Sequence, residues 1–281
     1  MIKIAHLSDT HIRNLKYLKQ YQIVFDQMYE KLRQERVDII VHCGDLAHTK
    51  TNLSPEYFDV ASDFLKNLAD IAPLVIIPGN HDGNLRTATR QDAITPIVKA
   101  LAHPNIHYLK QSGEFVLGQI CFNVLSVFDI DNWVKPSDES KINIALYHGS
   151  ISGCETDLGW KMENAENDLS IFRGYDYAML GDIHKTNQEL DFEGRVRYCG
   201  STVQQNFAET NDKGFLIWEI KNKDDFNVRH CAFKNPKPFI TIELTASGRV
   251  PKNTNVPPRA RIRIASNNRL PYNKIRRATD V

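Results

Sequence analysis

Leu74-Val75-Ile76-Ile77-Pro78 is a continuous apolar run that breaks into Gly79-Asn80-His81-Asp82. A run this short, rich in β-branched residues and closed by Pro and Gly, reads as a buried strand rather than a helix. The residues that follow it are polar and able to do chemistry. The same plan recurs outward along the chain. Val37-Asp38-Ile39-Ile40-Val41 leads to Gly44-Asp45, and Ile2 to Leu7 leads to Asp9-Thr10-His11. Ile142 to Tyr147 leads to His148-Gly149, and Tyr177 to Leu180 leads to Gly181-Asp182-Ile183-His184.

Helical patterns separate the first strands. Tyr17, Tyr21, Val24, Phe25, Met28 and Leu32 recur at three- and four-residue steps. Ser54-Pro55 opens a second helix, with Ser54 as cap and Pro55 in the first turn, and Phe58, Ala61, Leu65 and Leu68 form its apolar face. Strand–helix–strand alternation implies an α/β layered sheet, in which ligands bind outside the C-terminal ends of the strands. Further strand-like runs, Ile120 to Leu125, Val196 to Cys199 and Phe215 to Ile220, have shorter spacers. The expected architecture is a sandwich of two sheets flanked by helices. Asn235-Pro236-Lys237-Pro238 marks a boundary between residues 1–235 and 236–281. Past it, Phe239 to Leu244 and Ala260 to Ile264 read as two more strands. About 45 residues is marginal for an independent core, so this segment is expected to be a partial, shortened domain.

Composition narrows the class. The chain has 281 residues, 42% of them apolar and 25% charged, which excludes global disorder. No apolar run approaches the roughly 20 residues that cross a bilayer. The opening residues are too short and polar for a signal peptide, so no membrane association and a cytoplasmic setting are expected. Five scattered cysteines make neither a disulfide framework nor a Cys-x-x-Cys zinc site. The net charge of +1 hides an asymmetry, since Lys213 to Val281 carries 15 Lys/Arg against 5 Asp/Glu. Arg259, Arg261 and Arg263 alternate with Ala260 and Ile262, which would give one strand a basic face suited to DNA phosphates. Trp133, Trp160 and Trp218 are read as core or interface residues, with nucleic-acid contact as a rival reading for Trp160.

The five polar motifs fit a two-metal site. Hard divalent ions such as Mn²⁺ favour oxygen and imidazole ligands. Two ions roughly 3.5–4 Å apart need a bridging group between them, and Asp45, alone at a strand end, fits that bridge. Asp9 and His11 can reach one ion from a short loop, because residues two apart in an extended stretch point the same way. Asn80 offers a neutral amide oxygen to the other, and His148, Asp182 and His184 complete the set. His81 is placed as a general acid or a donor to the scissile phosphate, with Asp82 holding its ring.

This constellation resembles the calcineurin-like metallophosphoesterase superfamily, and within it the SbcD-type recombination nucleases. His6-Leu7-Ser8-Asp9-Thr10-His11, Gly44-Asp45-Leu46-Ala47-His48, Tyr198-Cys199-Gly200-Ser201-Thr202-Val203-Gln204 and Lys213-Gly214-Phe215 carry the resemblance over roughly residues 1–235. The resemblance implies that Asp9, His11, Asp45 and His184 hold one Mn²⁺ and that Asp45, Asn80, His148 and Asp182 hold the other, with Mg²⁺ as an alternative metal. It makes His81 catalytic and gives His48 a part in handling the DNA strand. It implies a DNA nuclease, exonuclease or endonuclease, acting near DNA ends in recombination and double-strand-break repair. The partner would be an SbcC-type ABC ATPase. A homodimer through the two first helices and a DNA-capping segment from Pro238 are also implied. One position departs: the family usually has Gly-His-x-His where this chain has Gly181-Asp182-Ile183-His184. Two rival readings stand beside the nuclease. One is a small-molecule phosphodiesterase or phosphatase of the same superfamily, and the other a non-catalytic scaffold with a decayed metal site.

Overall fold

A computed structural model of the chain describes residues 1–87, 89–267 and 269–279. The first half alternates strands and helices: β1 (Ile2–Leu7), α1 (Leu18–Glu35), β2 (Ile39–Cys43), α2 (Pro55–Ala69), β3 (Leu74–Ile77), α3 (Thr95–Leu101) and β4 (Ile106–Tyr108). Strands then dominate: β5 (Gly113–Leu117), β6 (Ile120–Leu125), β7 (Ile142–His148), β8 (Tyr177–Gly181), β9 (Gln188–Glu189), β10 (Val196–Tyr198), β11 (Gly214–Ile220) and β12 (Phe226–Ala232). The last elements are β13 (Phe239–Glu243), β14 (Arg261–Ala265) and α4 (Tyr272–Thr279). Two six-stranded sheets result, ordered β12-β11-β1-β2-β3-β4 and β5-β6-β7-β8-β10-β9, with β13-β14 as a separate parallel pair. The two-sheet α/β sandwich is therefore as expected. Among the described residues no helix is long and apolar enough to cross a membrane.

Alternation along the strands sorts the core into three layers. Ile4, Val41, Val75, Phe122, Ile144, Met179 and Trp218 meet between the sheets. Ala5, Leu7, Ile40, Leu74 and Ile76 point to the opposite face of the first sheet, where the apolar sides of α1 and α2 cover them. Ser54 caps α2 as anticipated, accepting from the backbone N–H of Tyr57 at 3.3 Å. The outer face of the second sheet differs from expectation. Ala145, Tyr147, Ala178, Leu180 and Tyr198 are covered by Ile151, Cys154 and Phe172, from the segment between β7 and β8, which holds the short 3₁₀ turn Leu169–Phe172 and no α-helix.

The structure refines three further expectations. The second strand starts at Ile39, two residues late, because Asp38 turns to accept the N–H of Lys3 at 2.7 Å. The apolar stripes of α1 and α2, named as candidates for a homodimer, lie on the chain's own sheet: Tyr21, Val24, Phe25, Met28, Leu32, Ala61, Leu65 and Leu68 are all buried there, as the core reading of such stripes has it. Trp218 is fully buried, but Trp160 is 62% exposed and belongs to no core.

The arginine face also differs from the open basic stripe expected. In the β13-β14 pair, Arg261 stands opposite Phe239 and Arg263 opposite Thr241. The Arg261 guanidinium lies 4.3 Å from the centre of the Tyr17 ring and 4.8 Å from that of Phe239, and it donates to the Lys237 carbonyl at 2.6 Å. Arg263 stacks on Phe207 at 5.1 Å and donates to Thr241 Oγ1 at 3.1 Å. These two side chains fasten the C-terminal pair to the body, because a guanidinium gains by covering an aromatic face. Arg259 and Arg263 remain exposed, and Arg261 is half-buried.

Candidate metal centre

The polar motifs converge because parallel strands end together. Asp9 and His11 follow β1, Asp45 follows β2, and Asn80 and His81 follow β3. From the second sheet, His148 is the last residue of β7, and Asp182 and His184 follow β8. Backbone bonds stitch the loops together. The N–H of Asp9 donates to the Gly44 carbonyl at 3.0 Å, and that of His11 to the Asp45 carbonyl at 3.0 Å. The convergence of Asp9 and His11 is not that of an extended stretch. Their φ angles are 52° and 47°, and Asp45 (56°) and Asp182 (95°) are left-handed too. Left-handed turns curl the loops inward, at a cost that Asp, Asn and His bear better than most residues.

The ligand atoms stand at spacings suited to cations. Asp9 Oδ1 lies 3.7 Å from both His11 Nε2 and His184 Nε2, which are 3.0 Å apart. Asp45 Oδ2 is 3.5 Å from His11 Nε2, while its Oδ1 is 3.4 Å from His148 Nε2. Asp45 thus presents one oxygen to each half of the site. Asp182 Oδ1 is 3.8 Å from His148 Nε2 and accepts from Asn80 Nδ2 at 3.2 Å. Three overlapping sets have all their ligand atoms within 4.8 Å: Asp9, His11 and His184; His11, Asp45 and His81; and Asp9, Asp45 and His148. Asp9 Oδ1 and His148 Nε2 are buried with no hydrogen-bond partner. Buried acceptors left so cost roughly 1–3 kcal/mol each, which a cation between them would relieve.

Neighbouring groups fix the rings. His148 Nδ1 lies 2.7 Å from the Cys43 carbonyl and must donate to it, so Nε2 faces the site and is a lone pair whenever the ring is neutral. His184 Nδ1 likewise donates to Glu209 Oε1 at 2.8 Å. Glu209, which orients the His184 ring, is a residue of the candidate site absent from the sequence-based expectations. Its side chain is 5% exposed, and its other oxygen accepts from the Gln205 N–H at 2.9 Å and from Ser201 Oγ at 3.3 Å. It lies between two recognised stretches, but a lone Glu in a loop gives no periodic or spacing signal.

Asp82 does not reach the His81 ring, contrary to expectation. Its carboxylate accepts three backbone N–H groups, from Ala47 at 2.8 Å, Gly79 at 2.9 Å and Leu46 at 3.3 Å. The turn after β3 points successive side chains apart, so Asp82 ties two loops together beneath the site. His81 is exposed, and its Nδ1 donates instead to the His48 carbonyl at 2.7 Å. The His48 ring stacks near it, with centres 6.1 Å apart. Burial and then the Arg13 charge push His48 down to about 4.

The electrostatics show a crowd of carboxylates asking for positive charge. Burial pushes Asp9 up to about 6, against the attraction of His148 and His184. Burial also disfavours an ionised Asp45, but the charge of His148 beside it holds it below the usual carboxylate range. Burial resists a charge on His148, yet Asp45, Asp9 and Asp182 outweigh it and raise that ring well above the ordinary imidazole value. His11 is held well below that value, chiefly by burial.

The family model described as calcineurin-like phosphoesterase matches residues 2–217. The chain is 36% identical to "Uncharacterized protein R555" of Acanthamoeba polyphaga mimivirus, over 97% of this chain and 21% of that protein. It is 26% identical to the SbcD subunit of the nuclease SbcCD of Staphylococcus epidermidis, over 86% of this chain and 72% of the relative. It is 27% identical to "DNA double-strand break repair protein Mre11" of Saccharolobus solfataricus, over 70% of this chain and 53% of the relative. The chain thus spans about a fifth of the viral protein and about half of the archaeal one.

Proposed function

The chain belongs to the calcineurin-like phosphoesterase family, and on that premise we propose that it is a metal-dependent phosphodiesterase cutting DNA near its ends. The observation that carries the chemistry is Asp45, with one oxygen toward His11 and the other toward His148, between two buried acceptors that lack partners. In this reading Asp9, His11, Asp45 and His184 hold one divalent ion, and Asp45, Asn80, His148 and Asp182 hold the second. When bound, the ion pair would polarise the phosphodiester and lower the pKa of a water. Mixed carboxylate and imidazole donors suit Mn²⁺, with Mg²⁺ as the alternative.

The chain's own groups supply the rest. The His48 carbonyl holds the Nδ1 proton of His81, so Nε2 is the free ring position, and it would deliver a proton to the leaving oxygen from the doubly protonated ring. His48, beside it, would steady the strand. The names of the archaeal and bacterial relatives support a nuclease in DNA double-strand-break repair that is one subunit of an SbcCD-type pair; recombination and an ATPase as the other subunit follow from the family resemblance. The basic balance after Lys213 supports the same substrate. Residues 236–281 would then belong to a DNA-capping unit, with Arg259 as its exposed phosphate contact.

A second reading, a small-molecule phosphodiesterase, gains from the commitment of Arg261 and Arg263 to aromatic rings. One experiment separates the two. End-labelled linear duplex and single-stranded DNA, and a cyclic nucleotide, are incubated with Mn²⁺, Mg²⁺ or EDTA and either wild type or His148→Leu. Manganese-dependent DNA cleavage that is lost in the variant is the expected result. Turnover of the cyclic nucleotide alone would replace the nuclease reading with its rival. No hydrolysis of any ester, by wild type or by Asp182→His, would leave only a scaffold.

A further inference from the structure

Arg13 stands in the catalytic cavity outside the metal set. It lines a hollow of 160 Å³ shared with His11, Asp45, His81, Asp182 and His184. Among the residues lining that hollow it is the one permanent cation. Its guanidinium is held along one edge: Nε donates to Gln205 Oε1 at 3.2 Å and Nη2 to the Gln205 carbonyl at 3.3 Å. Nη1 takes part in neither bond. The centre of the Tyr17 ring lies 5.6 Å from the guanidinium carbon.

Both supports are themselves anchored. Tyr17 also carries the Arg261 guanidinium. Gln205 donates its backbone N–H to Glu209 Oε2 at 2.9 Å and its Nε2 to the Val203 carbonyl at 3.1 Å. An arginine fastened in this way has given up rotamer freedom in the folded protein, so a ligand need not supply that ordering. Its fork of donors matches the oxygens of a phosphate. The hollow also needs a cation there. Asp182 adds a carboxylate to those of Asp9 and Asp45, and an incoming phosphodiester is itself an anion.

We infer that Arg13 is a substrate-binding residue that holds the non-bridging oxygens of the phosphodiester. The inference rests on the phosphodiesterase reading above and adds a residue outside the metal ligands.

The test titrates the full chain with inorganic phosphate by calorimetry, with Mn²⁺ and with EDTA. Wild type, Arg13→Gln and Arg13→Lys are compared, with melting temperatures as a folding control. Loss of a charge-assisted bond predicts phosphate binding about tenfold or more weaker in Arg13→Gln. Arg13→Lys keeps the charge without the fork and should fall between. A change of about twofold or less in Arg13→Gln overturns the inference, as does wild type that binds no phosphate with Mn²⁺. Hydrolysis of a phosphodiester is measured in parallel. Turnover with phosphate binding indifferent to Arg13 sinks this inference alone. Arg13-dependent phosphate binding without turnover sinks the enzymatic reading and leaves the anion site standing.

Discussion

Glu209 accepts the Nδ1 proton of His184 at 2.8 Å, while His184 Nε2 stands 3.7 Å from Asp9 Oδ1. Burial alone would make this imidazole a poor base, but the Glu209 bond and the Asp9 charge raise it above its ordinary value. A ring oriented and enriched in this way is a better metal ligand. Glu209→Ala should therefore weaken Mn²⁺ binding by roughly 10–100-fold while leaving the fold intact. A calorimetric Mn²⁺ titration checks it, and equal affinity in the variant would refute the supporting role.

Asp82 should behave as a structural clamp. Asn in its place keeps one acceptor oxygen and introduces a donor facing the N–H groups of Leu46, Ala47 and Gly79. Asp82→Asn is expected to lose about 1–3 kcal/mol of stability, as buried N–H groups go unpaired. Urea denaturation measures the loss. A variant as stable as wild type but slow in catalysis would instead return Asp82 to the reaction.

Gly79 is fixed by space. A methyl group there would sit 2.2 Å from Asp45 Oδ1 and 2.7 Å from His148 Cε1. Gly79→Ala must push the Asp45 carboxylate aside. A displacement of about 1 Å at a reacting centre can cost a hundredfold in rate, and a loss of that order is expected here. The metal content per chain should fall with it, and normal metal content with normal turnover would contradict the close approach.

Acid should destabilise the protein through two histidines at the base of the site. His6 donates to the Leu180 carbonyl at 3.1 Å, and His42 Nε2 lies 2.8 Å from Thr10 Oγ1. Both are fully buried, and burial pushes each from 6.5 to about 3. The unfolded chain protonates both rings below pH 6.5 and the folded chain does not. Their contribution is therefore whole above pH 6.5 and is lost as pH falls toward 3. Each loses at most ~1.4 kcal/mol per pH unit. Asp9 and Asp82, raised to about 6 and about 7 mainly by burial, act in the opposite direction. The clean measure is thus the difference between wild type and His6→Gln in urea midpoints from pH 8 to 5, in EDTA. Wild type should lose ground to the variant as pH falls below 6.5, and a constant difference would exclude the effect.

What the sequence made legible depended on how much each residue announced itself. The run Leu74 to Ile77 is apolar on both faces and Ile142 to Tyr147 is broken only by Asn143, and a Gly follows each with ligand-type side chains beside it, so their ends could be read directly. β4, β5 and β12 carry mixed, partly exposed patterns that resemble loops. α3 has only 7 residues and one fully buried side chain, too little for a helical period to show. Asp82 was misassigned because adjacency in sequence says little about direction after a sharp turn. Arg261 and Arg263 read as an open basic face because their aromatic partners, Tyr17 and Phe207, are remote in sequence.

The left-handed backbone at Asp9, His11, Asp45 and Asp182 also limits how this chain can change over generations. Branched or bulky side chains are penalised there, whatever their chemistry, and the readily admitted replacements are Gly and Asn. Descendants that lose their ions should therefore drift toward those two residues first. They would keep the outline of the motifs, and the decline would be silent in any comparison that scores outlines alone.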